Sequence, residues 1–198
     1  MPTGVAIRDV REQLFAAAER VLLRDGPNAL TSRAVTTEAG CAKGVLHRHF
    51  DDFDAFLAEL VRDRIGEVEE RGAALRGAAG TGTVVDNVAA ALTDLFGPLA
   101  LGVLALVTSR DALRARLRRT TPVGIPLLTE AGTVLAAYLA TERALGRLAP
   151  DSDPDTLAFT LIGSGHLLFA GCERGAPPTA EVRRIVGQAL AAAAPGAG

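Results

Sequence analysis

Thr31–Phe50 reads TSRAVTTEAGCAKGVLHRHF, and the fold is decided by how this stretch is read. It holds two short helical patterns interrupted at Gly40. Thr31 offers a side-chain oxygen to cap the first pattern, whose buried candidates are Ala34, Val35 and Ala39. Gly40 supplies a conformationally permissive turn, and the second pattern covers about 42–49. Ala42 gives that second helix no side-chain cap. Leu46 and Phe50, four residues apart, point into a core and leave Lys43, Val45, His47 and Arg48 along an exposed edge. Two of the three histidines and the chain's one lysine lie here.

Working outward, Ile7, Val10, Leu14, Ala18, Val21 and Leu22 recur at three- and four-residue steps and predict a first helix over Arg8–Arg24. Gly26-Pro27-Asn28 stops it. On the other side, Asp51 or Asp52 caps a fourth helix, with Asp54 adding favourable charge to its first turn. Phe53, Phe56, Leu57, Leu60, Val61, Ile65 and Val68 carry that helix to about Leu75, and the GAAGTG run at 77–82 forms a loop. The body then reads as helices over about 83–95, 97–107, 110–119, 123–148, 154–173 and 178–194, with the last few residues fraying. Asp153-Pro154 is an N-cap and first-turn pair, and Pro177 and Pro178 open the final helix. The expected class is all-α, divided into a head at 1–50, a connecting helix at 51–76 and a body at 77–198.

Composition agrees. Apolar residues make up 48% of the 198, too many for a disordered chain, while the 4% aromatic content and absent Trp suit closely packed helices better than a sandwich. The formal charge of −2 is unevenly spread: residues 1–50 carry seven Arg/Lys against five Asp/Glu, and 51–76 carry four against eight. A nucleic-acid contact is therefore confined to the head. Cys41 and Cys172 form no metal pattern and read as free buried thiols. Met1–Arg11 is short, mixed and charged, unlike a secretory leader, and GPLALGVLALV at 97–107 is too short to span a bilayer, so a soluble cytoplasmic protein is expected.

Two helices around a glycine-containing turn form a helix-turn-helix signal, in which the first turn of the second helix enters a major groove. Gly44 lets backbone approach closely there. The LTSRAVTTEAG block, GCAKGVLHRHF and the following DDFDAFLAELV resemble the TetR family of bacterial transcriptional regulators over the N-terminal sixty or so residues, with Gly40, Gly44, Leu46, His49, Phe50 and Leu57 at the expected spacing. The resemblance implies a homodimeric, mostly repressor-like regulator that reads a palindromic DNA operator and lets go when a small molecule binds its body. It also implies that Thr31, Ser32 and Arg33 meet phosphate or groove edge and that Lys43, Gly44, Val45, His47 and Arg48 form the reading helix. Lys43 is expected at a base edge or adjacent phosphate, Arg48 at phosphate, and His49 in a hydrogen bond within the head. The chain departs from the family pattern at Ala42, His47 and Phe53, where Ser, Tyr and Lys are usual.

For the effector, a cavity between the connecting helix and the body is expected, lined by Phe96, Leu99, Val103, Leu106, Leu127, Leu128, Ala131, Leu135, Tyr138, Phe159 and Ile162. Tyr138, Thr108, Thr129, Ser164 and His166 are candidates to orient an apolar or weakly polar ligand, although each also fits core packing or a local helix hydrogen bond. The last two helices carry apolar surface on more than one face. An intersubunit four-helix bundle through Leu161, Leu168, Val182, Ile185, Val186 and Leu190 would cover it, and a buried central helix in a monomer is the alternative. No HExxH, Walker loop, dinucleotide fingerprint or paired zinc motif is present, so no catalytic residues, cofactor or metal are expected. A dimeric DNA- or partner-binding module without effector response, and less so an all-helical enzyme, are the competing readings.

Overall fold

The computed structural model describes residues 7–172 and 175–194, with side chains from Val10 onward. The chain is all-α. Its helices are α1 (Ile7–Asp25), α2 (Ser32–Glu38), α3 (Gly44–His49), α4 (Phe53–Gly77), α5 (Val84–Leu95), α6 (Pro98–Ser109), α7 (Asp111–Leu117), α8 (Leu128–Ala144), α9 (Pro154–Ala170) and α10 (Thr179–Leu190). Short 3₁₀ turns follow α1 and α10 at Pro27–Ala29 and Ala191–Ala193. The fraying expected at the C-terminus concerns 195–198, outside the described residues.

Four helices begin where a side chain replaces a missing helical acceptor. Thr31 Oγ1 accepts the Ala34 N–H at 3.1 Å, and Asp52 Oδ1 accepts the Ala55 N–H at 2.7 Å. Thr83 Oγ1 accepts the Asp86 N–H at 3.0 Å, and Asp153 Oδ1 accepts the Asp155 N–H at 3.2 Å. Each such cap stabilises its helix by about 1 kcal/mol relative to alanine. Of the two aspartates offered for α4, Asp52 is the cap.

Two compact units result: Met1–Asp63 with Leu101–Val123, and Arg64–Ala100 with Gly124–Gly198. Compactness thus partitions the chain differently from chain order, since α4 and α6 each contribute to both.

In the first unit, Leu14, Ala17, Ala18, Val21 and Leu22 form the buried stripe of α1, and Val35, Leu46, Phe50, Phe56, Leu57, Leu60 and Val61 are buried with them. Burying one such leucine or phenylalanine contributes about 1.5–3 kcal/mol. The rings of Phe15, Phe50 and Phe56 lie 5.0–6.1 Å apart and tie the end of α3 to α1 and α4. Gly102 keeps α6 close to α1, because a β-carbon there would meet Leu22 Cγ at 3.0 Å. Leu113 and Leu117 are fully buried and seat α7 in the same unit.

In the second unit α9 packs along α8, and α10 lies against α5 and α9. A β-carbon at Gly165 would come within 2.8 Å of the Phe96 ring, so the missing side chain sets the α9 packing distance there.

Most helix limits fall within two or three residues of expectation, with one larger correction. The helix expected over 123–148 is α8, Leu128–Ala144. Pro126 precedes a Leu127 held at φ +76°, outside helical space, and Gly146 at φ +73° follows the other end. The Leu127 N–H donates to Glu130 Oε2 at 2.6 Å, which closes the first turn.

Candidate nucleic-acid interface and cavity

The segment Thr31–Phe50 is built from backbone outward. Ala39, Gly40 and Cys41 donate their N–H groups to Val35, Thr37 and Thr36 carbonyls at 2.9, 3.1 and 3.0 Å, closing α2. Gly40 sits at φ +66°, a left-handed conformation that suits glycine and turns the chain toward α3. α3 is shorter than the 42–49 expected. It starts at Gly44 behind Lys43, with no side-chain cap.

One edge of α3 is anchored. Leu46 is buried completely and Phe50 nearly so, and the Phe50 N–H bonds Leu46 O at 3.0 Å. The Arg11 guanidinium lies 4.6 Å from the Phe50 ring centre and pairs with Glu59, locking that anchor to α1 and α4. The opposite edge presents Lys43, Gly44, His47 and Arg48 to solvent, with Val45 half-buried. On α2 and its cap, Thr31 and Arg33 are exposed, although the Thr31 hydroxyl oxygen is already committed to capping. Ser32 is half-buried, and its Oγ is turned inward without a hydrogen-bond partner among the described residues.

Charge is sorted along the same lines. Arg20 and Arg24 bond the Glu38 carboxylate at 2.7 and 2.9 Å, and these hydrogen bonds hold its pKa below the ordinary value. The acid of α2 is thereby neutralised from α1. Arg33, Lys43 and Arg48 have no ion-pair partner among the described residues, so their charge is directed outward. His49 is half-buried and its side chain makes no hydrogen bond among the described residues, which corrects the expected intrahead bond. Phe53 stacks on Phe56 at 5.7 Å, an apolar start to α4.

The second unit holds a half-open cavity of about 280 Å³. Its walls are Val68, Arg71, Gly72 and Leu75 on α4, Asn87, Ala91, Leu92, Asp94 and Leu95 on α5, Ala131, Val134 and Leu135 on α8, and Ile162 on α9. It is an apolar chamber at the small end of ligand-site volumes, with Arg71, Asn87 and Asp94 as its polar fixtures. A β-carbon at Gly72 would overlap Val134 Cγ1 at 2.5 Å, so α4 and α8 meet there through bare backbone.

Of the expected lining, Ala131, Leu135 and Ile162 are brought together in this wall. Val103 and Leu106 are instead buried in the first unit, and Leu127 and Phe96 are core residues of the second. Leu99 is half-buried and Phe159 is 81% exposed, so neither lines the chamber. His166 is half-buried and packs its ring 5.9 Å from Phe96. Tyr138 is fully buried behind the wall: its hydroxyl donates to Glu142 at 2.6 Å and accepts from Asn87, a lining residue, at 3.0 Å. Burial first, and then the bond to Glu142, raise its pKa well above the ordinary tyrosine value.

Glu142, absent from the sequence reading, is the centre of that network. Its carboxylate is fully buried, accepts the Gly80 N–H at 3.3 Å and pairs with Arg147 at 3.2 Å. It ties the loop after α4 to the end of α8.

The expected dimer residues divide. Leu161, Val182, Val186 and Leu190 are all at most 4% exposed, because α5, α9 and α10 cover them within one chain. Leu168 and Ile185 are half-buried. The apolar side chains that α9 does present outward are Phe159 and, eight residues on, Leu167 at 76% exposed. Both cysteines are free and half-buried, rather than fully buried as expected.

Among the described residues, no group of three or more His, Cys, Asp and Glu is placed to hold a metal ion. No single described helix is long and apolar enough to cross a membrane.

Residues 14–60 match the family model for bacterial regulatory proteins of the tetR family. Comparison with curated protein sequences gives no match. Solved structures with the same fold include a TetR-family transcriptional regulator from Agrobacterium tumefaciens, with TM-score 0.71, 17% identity and coverage of 94% of this chain and 98% of that one. The fatty acid degradation regulator FadR of Bacillus halodurans gives 0.69 and 18%, covering 95% and 97%. GusR of Salmonella enterica gives 0.68 and 14%, covering 94% and 98%. The chain has the fold of TetR-family regulators, and its residues 14–60 carry that family's sequence pattern.

Proposed function

We propose that this chain is a repressor that binds a palindromic operator as a homodimer and is released by a small apolar or weakly polar effector. The observation that carries the reading is the asymmetry of α3, buried along Leu46 and Phe50 and exposed along Lys43, Gly44, His47 and Arg48. In this reading 1–50 is the DNA head, 51–76 the connecting helix and 77–198 the effector and dimerisation body. Thr31, Ser32 and Arg33 meet phosphate or groove edge, Lys43 and Val45 face bases, and His47 and Arg48 hold the backbone. The effector enters the chamber between α4, α5, α8 and α9, whose mostly aliphatic wall favours an apolar body with one or two polar groups.

The partner copy covers α9 across Phe159 and Leu167, with Gly163 and Ala170 exposed on the same side to permit close helix approach. The chamber is the feature that favours a ligand-responsive regulator over a fixed dimeric module. Selection of bound fragments from genomic DNA by the purified protein, at stated salt, tests the reading. A palindromic site is expected, and recovery of no palindrome overturns it.

A further inference from the structure

The segment RDALRARLRR, Arg110–Arg119, carries six charged residues on α7 and its flanks, five of them arginines and one Asp111. It belongs to the same compact unit as the head. Three of the arginines are occupied. Arg110 bonds Asp54 at 2.9 Å and lies 5.6 Å from the Phe53 ring, Arg116 pairs with Asp52, and Arg114 pairs with Asp111. Arg118 and Arg119 are exposed and have no ion-pair partner among the described residues.

The pairings fix where α7 lies. Arg110, just before α7, reaches Asp54 in the first turn of α4, and Arg116 near the end of α7 reaches Asp52, the α4 cap. The C-terminal end of α7 is thereby held beside Asp52, in the link that follows α3. Arg118 and Arg119 follow Arg116 by two and three residues, in the turn that ends α7.

The electrostatic result is a reversal of sign. Asp51, Asp52 and Asp54 would set three negative charges beside the end of the reading helix, where like charge repels phosphate. Arg110 and Arg116 cancel two of them, and Arg118 and Arg119 outnumber the remaining Asp51. The start of α4, where Phe53 supplies no cation, thus gains positive charge from a helix more than fifty residues further along the chain.

We propose that Arg118 and Arg119 contact the phosphodiester backbone of duplex DNA and extend the head's interface beyond α2 and α3. The proposal rests on the head's being the DNA-binding surface. The test uses the full chain, a mixed-sequence duplex and a salt titration of binding, comparing wild type with the R118A/R119A double variant. Loss of two contacts per protomer is expected to lower the slope of log K against log salt by about 1.8 per protomer, at about 0.9 per phosphate contact. Preference among sequences should stay unchanged.

The R118K/R119K variant should restore the slope. An unchanged slope in the alanine variant overturns the proposal, as does failure of lysine to restore it. So does a lowered melting temperature with no change in slope, which would assign the pair to the α7 helix end alone. Wild-type protein that binds no duplex at any salt overturns the DNA-binding reading itself, a different outcome from a wild-type slope that survives in the variant.

Discussion

Glu142→Ala is expected to be the most destabilising single polar truncation in the second unit. The carboxylate is completely buried and takes the Tyr138 hydroxyl at 2.6 Å, the Gly80 N–H at 3.3 Å and the Arg147 guanidinium at 3.2 Å. Removing it leaves a hydroxyl, an amide and a cation short of their acceptor together. Breaking one side of a buried ion pair costs about 3–5 kcal/mol. The lower end applies, because the Arg147 side chain is 26% exposed and keeps a bond to the Gly82 carbonyl at 2.5 Å. A loss of about 3 kcal/mol corresponds to roughly 6–12 °C in melting temperature for a chain of this size. Calorimetry at fixed protein concentration measures it, since any self-association would make melting concentration-dependent. Glu142→Gln keeps the shape and should lose about half as much. In a double-mutant cycle, Tyr138→Phe and Glu142→Gln should couple by about 0.5–3 kcal/mol. A Glu142→Ala protein that melts within a degree or two of wild type would refute the network as a source of stability.

Three further outcomes are expected. Tyr138 is the only tyrosine and Trp is absent, so phenolate absorbance reports this residue alone. Its folded pKa is raised, so the native state holds the proton more tightly than the unfolded state does; stability should be intact below the ordinary tyrosine value of about 10 and fall as pH climbs past it. Tyr138→Phe should flatten that alkaline loss, and phenolate appearing at the ordinary value in the folded protein would contradict the burial. Gly72→Ala forces a β-carbon onto Val134 and should cost about 1–3 kcal/mol in denaturant melts, whereas the same change at exposed, uncrowded Gly77 should be nearly silent. Substituting Phe159 and Leu167 by serine should shift sedimentation from dimer toward monomer with the helical content kept; an unchanged dimer would move the interface elsewhere.

The head was largely legible because its signals are local. A threonine cap at Thr31, a left-handed glycine at Gly40 and a four-residue step from Leu46 to Phe50 each specify their own few residues of backbone. α8 starts later than the periodicity alone implies, because Pro126 marks a boundary inside the apolar pattern. The cavity wall was read only in part for a different reason. Periodicity tells which side of a helix is buried but not which neighbour lies opposite, so Val68, Gly72 and Leu75 of α4 went unassigned, as did the Asn87–Tyr138–Glu142 chain of bonds. The same ambiguity made Leu161, Val182 and Val186 serve equally as core or as subunit surface until the packing of α5, α9 and α10 placed them inside.

The one-sided anchoring of α3 separates two kinds of selection on its residues. Leu46 and Phe50 hold the helix, and replacing either removes core packing worth several kcal/mol. Lys43, His47 and Arg48 are exposed and bear no ion pair among the described residues, so exchanging them should alter stability by about 0.5 kcal/mol or less. On the proposed reading, the surface that would choose a DNA sequence can therefore drift without threatening the fold. If that reading holds, a duplicated copy of this gene acquires a new operator through a handful of substitutions, each tolerated on arrival.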